Sequence, residues 1–251
     1  MKVIAIHQPN YLPWLGYFYK IWTSDVFVLH DRVEYTKQSY TKRVFIRKSP
    51  YASEQTYLSI PLKKHSDFSL IKDLQINHEQ KWQAKHINKI YNSYHKAPYF
   101  KYYFPQIEKI ILSSETILDL KTLNQELIKN VMDILNIHTF IVSSSKLPLQ
   151  GFKADEYNAA IVQYLQGDTY MSGTGAHKYQ TERVYNRLNI DLKYNNLSQF
   201  LKRYPPQYPV SFFAGLSILD ALFYIGQQGI LSIFKACQEE SEKKGIGAFV
   251  L

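Results

Sequence analysis

Within about thirty residues the chain passes through the pattern that most restricts its fold. A short β-branched apolar run at residues 2–6 ends in a polar, proline-bearing loop at 7–13, a helical stretch follows over 14–22, and a second apolar run occupies 26–29. Strand, helix and strand in so little chain make a βαβ unit, whose two strands are parallel because the helix carries the chain back to the end it left. Strands covered on both faces read as continuous apolar runs rather than alternating ones, as these do.

The remaining pattern extends that unit. Residues 44–46 and 57–62 read as strands around the turn at Ser49-Pro50-Tyr51, which predicts a hairpin. Helical spacing appears over 79–95, where Trp82, His86, Ile90 and Tyr94 share a face until Lys96-Ala97-Pro98 stops it, and again over 116–135 with a leucine-rich stripe. Strand-like runs at 139–142, 168–171 and 190–194 alternate with helical segments at 154–165 and up to residue 188. The polar, proline-terminated stretch 143–148 is the best candidate for a linker. The most apolar window, 212–234, has Asp220 in its middle and is interrupted by Gln227-Gln228-Gly229, so it reads as two core helices rather than a membrane span. Ser217 to Asp220 has the spacing of a capping box. The expectation is one α/β domain over 1–251: a mostly parallel sheet flanked by helices, with a small antiparallel hairpin insertion and a helical C-terminus.

Charge and cysteine use narrow the function classes. Lys and Arg exceed Asp and Glu by nine, which favours anionic ligands, but the basic residues are scattered, with no arm or stripe of the kind nucleic-acid binders carry, so no nucleic acid is expected. The lone Cys237 excludes an internal disulfide framework and a multi-cysteine zinc cluster, and no His-x-x-x-His spacing supports a metal. The N-terminal apolar run is too short for a signal peptide, so a cytoplasmic location without a membrane span is expected.

Four clusters can carry chemistry. The first is His7-Gln8-Pro9-Asn10-Tyr11, directly after the first strand, where two nearby prolines stiffen the loop. It reads either as a preorganised site, with His7 as general base or as a donor to phosphate and Gln8, Asn10 and Tyr11 as hydrogen-bonding groups, or as a rigid loop whose polar side chains satisfy its own backbone. The second is Ser172-Gly173-Thr174-Gly175-Ala176-His177-Lys178, a small-residue turn leading into a helix. Its spacing fits neither a P-loop nor a dinucleotide fingerprint, yet its backbone N–H groups and Lys178 suit a diphosphate; an ordinary strand-to-helix turn is the alternative. The third is His30-Asp31-Arg32 after the second strand, with Arg43 further on, where Asp31 orients His7, binds a substrate amine or forms a surface ion pair. Trp82 and His86 share a helix face as a ligand-binding pair or as core.

The opening Ile6-His7-Gln8-Pro9-Asn10-Tyr11-Leu12-Pro13-Trp14-Leu15-Gly16-Tyr17 closely resembles the signature of the WbqC-like proteins of bacterial surface-polysaccharide genes, and later landmarks fall in the same order: Ser24-Asp25-Val26-Phe27-Val28, Arg43, Trp82, Lys85-His86, Tyr170-Met171-Ser172-Gly173, Tyr208 and Leu216-Ser217-Ile218-Leu219-Asp220. The chain departs from it at His30-Asp31-Arg32, where the family carries two successive acidic residues. The resemblance implies transfer of glycine or another acyl group onto the amino group of a nucleotide-activated amino sugar in O-antigen synthesis. Under that implication His7 and Asp31 are catalytic, and Gln8, Asn10, Tyr11, Arg43, Trp82, His86, Ser172, Gly173, Gly175, His177 and Lys178 bind substrate. No cofactor is fixed; the acyl group comes from acyl-CoA, an aminoacyl donor or activation with ATP, and self-association is open. The opening also resembles nucleotidyltransferase-like folds, including ligases that adenylate a carboxylate, with Tyr17 where the second histidine of a His-x-Gly-His motif stands. A non-catalytic binding module for polysaccharide precursors is the remaining alternative.

Overall fold

A computed structural model describes residues 1–173, 180–195 and 215–243. Five strands form a parallel sheet: β1 (Val3–His7), β2 (Val26–Leu29), β5 (Phe140–Ser143), β6 (Thr169–Gly173) and β7 (Asp191–Asn195), in the spatial order β5-β2-β1-β6-β7. An antiparallel hairpin, β3 (Arg43–Arg47) with β4 (Gln55–Ser59), is inserted between β2 and β5, as its turn signal predicts.

The order of the strands dictates where the helices lie. From β1 the chain moves outward through α1 (Leu15–Trp22) to β2, and later through α4 (Leu120–Leu135) to β5; it then reverses past β1, through α5 (Ala154–Tyr164) to β6 and α6 (Glu182–Asn186) to β7. Right-handed crossovers that run in opposite directions place their helices on opposite faces. The side chains sort accordingly. Ala5, Phe27, Leu29 and Met171 pack with α1 and α4, whereas Ile4, Ile6, Val26, Val28 and Tyr170 pack with α5 and α6. Each such buried aliphatic or aromatic side chain contributes roughly 1.5–3 kcal/mol.

The long crossover between β2 and β5 carries the hairpin and two further helices, α2 (Trp82–Tyr94) and α3 (Phe100–Ser113). α3 corresponds to no element expected from sequence. Its buried residues Phe100, Tyr103, Ile107 and Ile111 have helical spacing, but Pro105 inside it is a helix-breaking signal. The C-terminal helical run, α7 (Ile218–Lys243), bends at Gly226 (φ 66°, ψ 179°), which matches the expected pair of helices, although the break falls one residue before Gln227. Gly226 is required there twice over, by its positive φ and because a Cβ would lie 3.2 Å from the Tyr99 ring.

Two expectations change. The stretch 143–148 is no linker: Ser144 is fully buried, and Ser144 and Ser145 hydrogen-bond Asp31 beyond the end of β2. The capping box at α7 is replaced by a different use of its residues. Ser217 Oγ accepts the Leu219 N–H, but the Ser217 N–H goes to Phe45 O, and the Asp220 carboxylate is taken by Arg47 of β3, with Nε–Oδ1 at 2.7 Å and Nη2–Oδ2 at 3.2 Å. Both partners are buried, so this bidentate pair fastens the hairpin to α7 at the expense of its own desolvation.

Asp220→Asn is expected to lower the unfolding free energy by about 3–5 kcal/mol, because it strands the Arg47 charge. The double variant Arg47→Met/Asp220→Leu is expected to recover most of that loss in urea denaturation; a double variant no more stable than Asp220→Asn would contradict this account.

Candidate functional site

Ligands of open parallel sheets bind beyond the carboxyl ends of the strands, where the strand order reverses. Here that point lies between β1 and β6, and β1 ends there in His7. The two strands pair only through Ala5 and Met171, whereas β1 and β2 stay paired through His7 and Leu29. Continuing the β1–β6 register by two residues sets Gly173 alongside His7, and a Cβ built on Gly173 meets nothing within 4 Å. The ladder therefore opens into a crevice flanked by an imidazole on one side and a bare backbone on the other.

Lys20 caps the place where the ladder stops. The carbonyls of even-numbered β1 residues face β6, since Lys2 O accepts the Asp168 and Thr169 N–H groups. Ile6 O points the same way, and it accepts from Lys20 Nζ at 2.8 Å. Lys20 is buried within the otherwise apolar α1, and burial lowers its pKa from 10.5 to about 7. The odd-numbered His7 points to the α1 face, with its ring centroid 4.9 Å from that of Tyr17. Burial, and then the charge of Lys20, push its pKa down to about 3, so the imidazole is neutral.

The loop after β1 is held at several of its backbone groups. Tyr17 donates to Gln8 O (2.9 Å) and receives the Asn10 N–H; Asn124 Nδ2 donates to Pro9 O (2.8 Å) and Thr41 O (2.7 Å); the Tyr11 N–H goes to Tyr40 O (3.1 Å); and Ser217 Oγ donates to Leu12 O (2.8 Å). These bonds fix the positive φ of Leu12 (39°). The loop's backbone is thus satisfied by groups from other elements and not by its own polar side chains. Among the described residues nothing hydrogen-bonds the His7 ring or the Asn10 amide, and Gln8 Oε1 has only Thr41 Oγ1 at 3.5 Å.

Tyr11, Trp82 and His86 play a different part from the expected ligand contact. All three are buried in the core. His86 Nε2 faces Ser59 O at 3.2 Å and must donate to it, so Nδ1 is the acceptor for the Tyr11 hydroxyl at 2.8 Å. Their physical role is to anchor the loop from beneath, with Trp82 packed edge-on against both rings.

Asp31 is likewise occupied. Its oxygens accept from Ser144 Oγ (2.8 Å), Ser145 N (2.8 Å) and Ser145 Oγ (2.5 Å), with Lys121 Nζ at 3.8 Å. Among the described residues it makes no bond to His7; what it orients is Ser144. Because the Ser144 proton goes to Asp31, His30 Nδ1, 3.3 Å from Ser144 Oγ, is the donor there, leaving Nε2 as a lone-pair acceptor. His30 stacks on Tyr157 (centroids 5.4 Å apart), and its backbone N–H bonds His7 O at 2.7 Å. It borders a cleft of about 600 Å³ at the start of α5, lined also by Arg32, Lys153, Tyr157, Asn158 and Gln180. Two amide oxygens there, Asn158 Oδ1 and Gln180 Oε1, are buried without a partner among the described residues.

Ser172 is buried at the end of β6 and Gly173 faces the crevice; Gly175, His177 and Lys178 lie outside the described residues. Arg43 begins β3, with its guanidinium 4.9 Å from the centre of the Tyr57 ring. Sequence reasoning overlooked Lys20 and the part played by Ser144. A lysine inside the apolar stripe Leu15-Gly16-Tyr17-Phe18-Tyr19-Lys20-Ile21-Trp22 is a visible signal for the first; nothing local marks the second.

The model of the WbqC-like protein family matches residues 8–231. The chain belongs to the WbqC-like protein family. It is also similar to Rv1507c of Mycobacterium tuberculosis, described as an uncharacterized protein, with 29% identity over 229 residues that cover 91% of this chain and 96% of that protein. No solved structure matches. The match to the WbqC-like model begins one residue after His7 and takes in the loop after β1, α1 with Lys20, the β2 end and β6. No helix of this WbqC-like chain among the described residues is long and apolar enough to cross a membrane.

Burial holds the pKa of His7 at about 3, and those of His30 and His86 at about 4, below the 6.5 of a free imidazole. The unfolded chain therefore binds more protons over this window. Stability is expected to be fully retained above pH 6.5 and to drain away as pH falls towards 4. Urea midpoints should drop steeply over that range, less so in His7→Asn; a midpoint constant from pH 6.5 to pH 4 would refute the burial of these rings as described.

Proposed function

We propose that the crevice between β1 and β6 transfers an acyl group, glycyl among the candidates, to the amino group of a nucleotide-activated amino sugar. The reading is carried by one observation: at the reversal point of a parallel sheet, a neutral imidazole and a buried amine with a pKa of about 7 stand beside an open glycine backbone. Membership of the WbqC-like family is in keeping with it, because the resemblance of the opening motif implies such a transfer.

In this mechanism the substrate amine donates a hydrogen bond to His7, while Gln8 and Asn10 position the sugar. The amine nitrogen attacks the acyl carbon of a thioester or acyl phosphate, the new C–N bond forms as the C–S or C–O bond breaks, and the amine proton leaves. His7, with so low a proton affinity, orients the amine. Lys20 is the neighbouring base whose affinity matches physiological pH, and it takes the proton from the imidazole. The cleft beside His30 has a volume in the range of small-ligand sites, and its unpartnered amide oxygens suit the hydroxyl donors of a sugar, with the stacked rings of His30 and Tyr157 as an apolar wall. Asp31 acts through Ser144 on His30. The setting is cytoplasmic, where nucleotide-activated sugars and acyl donors are available.

Incubation with a nucleotide-linked amino sugar and either an acyl thioester or glycine with ATP is expected to give an amide detectable by mass. His7→Ala and Lys20→Met should each slow it by about 10²–10⁴-fold. In the wild type, kcat/KM should rise with pH through about 7 as Lys20 loses its proton, and Lys20→Met should lose that rise. Folded protein that forms no amide from any donor would sink the proposal.

A further inference from the structure

The segment between β2 and β3 holds polar groups that the scheme above leaves unused. Tyr35 is 4% exposed and, among the described residues, its hydroxyl has no hydrogen-bond partner; Ser39 Oγ and Arg43 Nε are enclosed and equally without a described partner. All three can donate, and a buried donor without an acceptor costs roughly 1–3 kcal/mol. Two cations sit with them. Lys42 and Arg43 are half-buried, and among the described residues neither has a carboxylate within 4.0 Å, whereas the neighbouring Lys37 is matched by Asp67 at 2.8 Å.

The same segment lies against the loop after β1. Tyr40 O accepts the Tyr11 N–H, Thr41 Oγ1 approaches Gln8 Oε1, and Asn124 grips Pro9 O and Thr41 O together. Arg43 is further oriented by its bond to Gln38 O (2.9 Å) and by the Tyr57 ring beneath its guanidinium. A group that carries only acceptors and negative charge would satisfy this set; an amine or a neutral sugar would not.

We propose that the turn 35–43 is a binding subsite for a phosphate or diphosphate group, held by Lys42 and Arg43 with the hydroxyls of Tyr35 and Ser39 as neutral donors. It deepens the reading above and rests on it only for the identity of the ligand, since a nucleotide-activated sugar carries a diphosphate. Electrostatics agree with the geometry. Burial, and then repulsion from Arg43 and Lys37, lower the pKa of Lys42, while Arg43 counteracts the upward shift of Tyr35 that burial causes. A bound anion would relieve that repulsion. His65, edge-on to Tyr35 at 5.3 Å, and Asp67 with Lys37 are the other ionisable groups facing the turn.

Calorimetric titration with inorganic pyrophosphate, and separately with uridine diphosphate, tests the site. Binding is expected to weaken by about ten- to a hundredfold in Arg43→Gln and in Lys42→Gln, to fall with added salt, and to be unchanged in Lys64→Ala. Tighter binding of uridine diphosphate assigns the site to a nucleotide, equal binding assigns it to a free diphosphate, and either supports it. No binding of either probe, or binding insensitive to both Lys42→Gln and Arg43→Gln in variants whose circular dichroism is native, overturns it. Amide formation needs neither probe, so loss of the acyl-transfer reading with Arg43-dependent pyrophosphate binding intact would leave this site standing.

Discussion

A parallel ladder satisfies the backbone of both neighbours for as long as it runs, and the crevice of the proposed site exists because the ladder between β1 and β6 stops at Ala5 and Met171 while that between β1 and β2 goes on to His7. Ending a ladder inside a protein leaves a carbonyl that must find a donor. Here the donor to Ile6 O is the amine of Lys20, and burying an amine so close to a strand end depresses its proton affinity. One backbone requirement thus puts nitrogen at the floor of the crevice and adds to the burial that keeps the adjacent imidazole neutral. The geometry and the electrostatics of the site have the same cause.

Around this point the fold is built to resist movement. The loop after β1 is gripped by α1 through Tyr17, by α4 through Asn124, by α2 through His86 and by the start of α7 through Ser217. Of these helices, α7 is in turn locked to the hairpin by the buried pair of Arg47 and Asp220. Preorganisation of this kind is what chemistry at a strand end requires, since the reacting groups must be held to a fraction of an ångström. It also explains why Tyr11, Trp82 and His86 belong with the motif although they are buried: they are its foundation.

Much of this was legible along the chain. The βαβ opening, the hairpin, the helix over 79–95 and the kinked C-terminal run follow from local periodicity and turn chemistry, which depend on neighbours within a few residues. α3 escaped because Pro105 masks a stripe that is otherwise helical. In the site, His7, Gln8 and Asn10 stood out as a polar cluster after an apolar strand, but the partners of Asp31 did not, because Ser144 and Ser145 reach it from the end of a strand more than a hundred residues away in sequence.

By itself, the sequence determined the layered architecture, the parallel direction of the strands and the rigid loop that presents His7, since each follows from residue spacing and backbone sterics. Only the tertiary structure decided that β6 lies on the other side of β1 from β2, that Lys20 fills the gap between them, and that Asp31 serves Ser144 and His30 instead of His7. Those outcomes depend on which strands become neighbours, and a pairing between distant segments is set by the burial of the whole sheet rather than by any pattern within either segment.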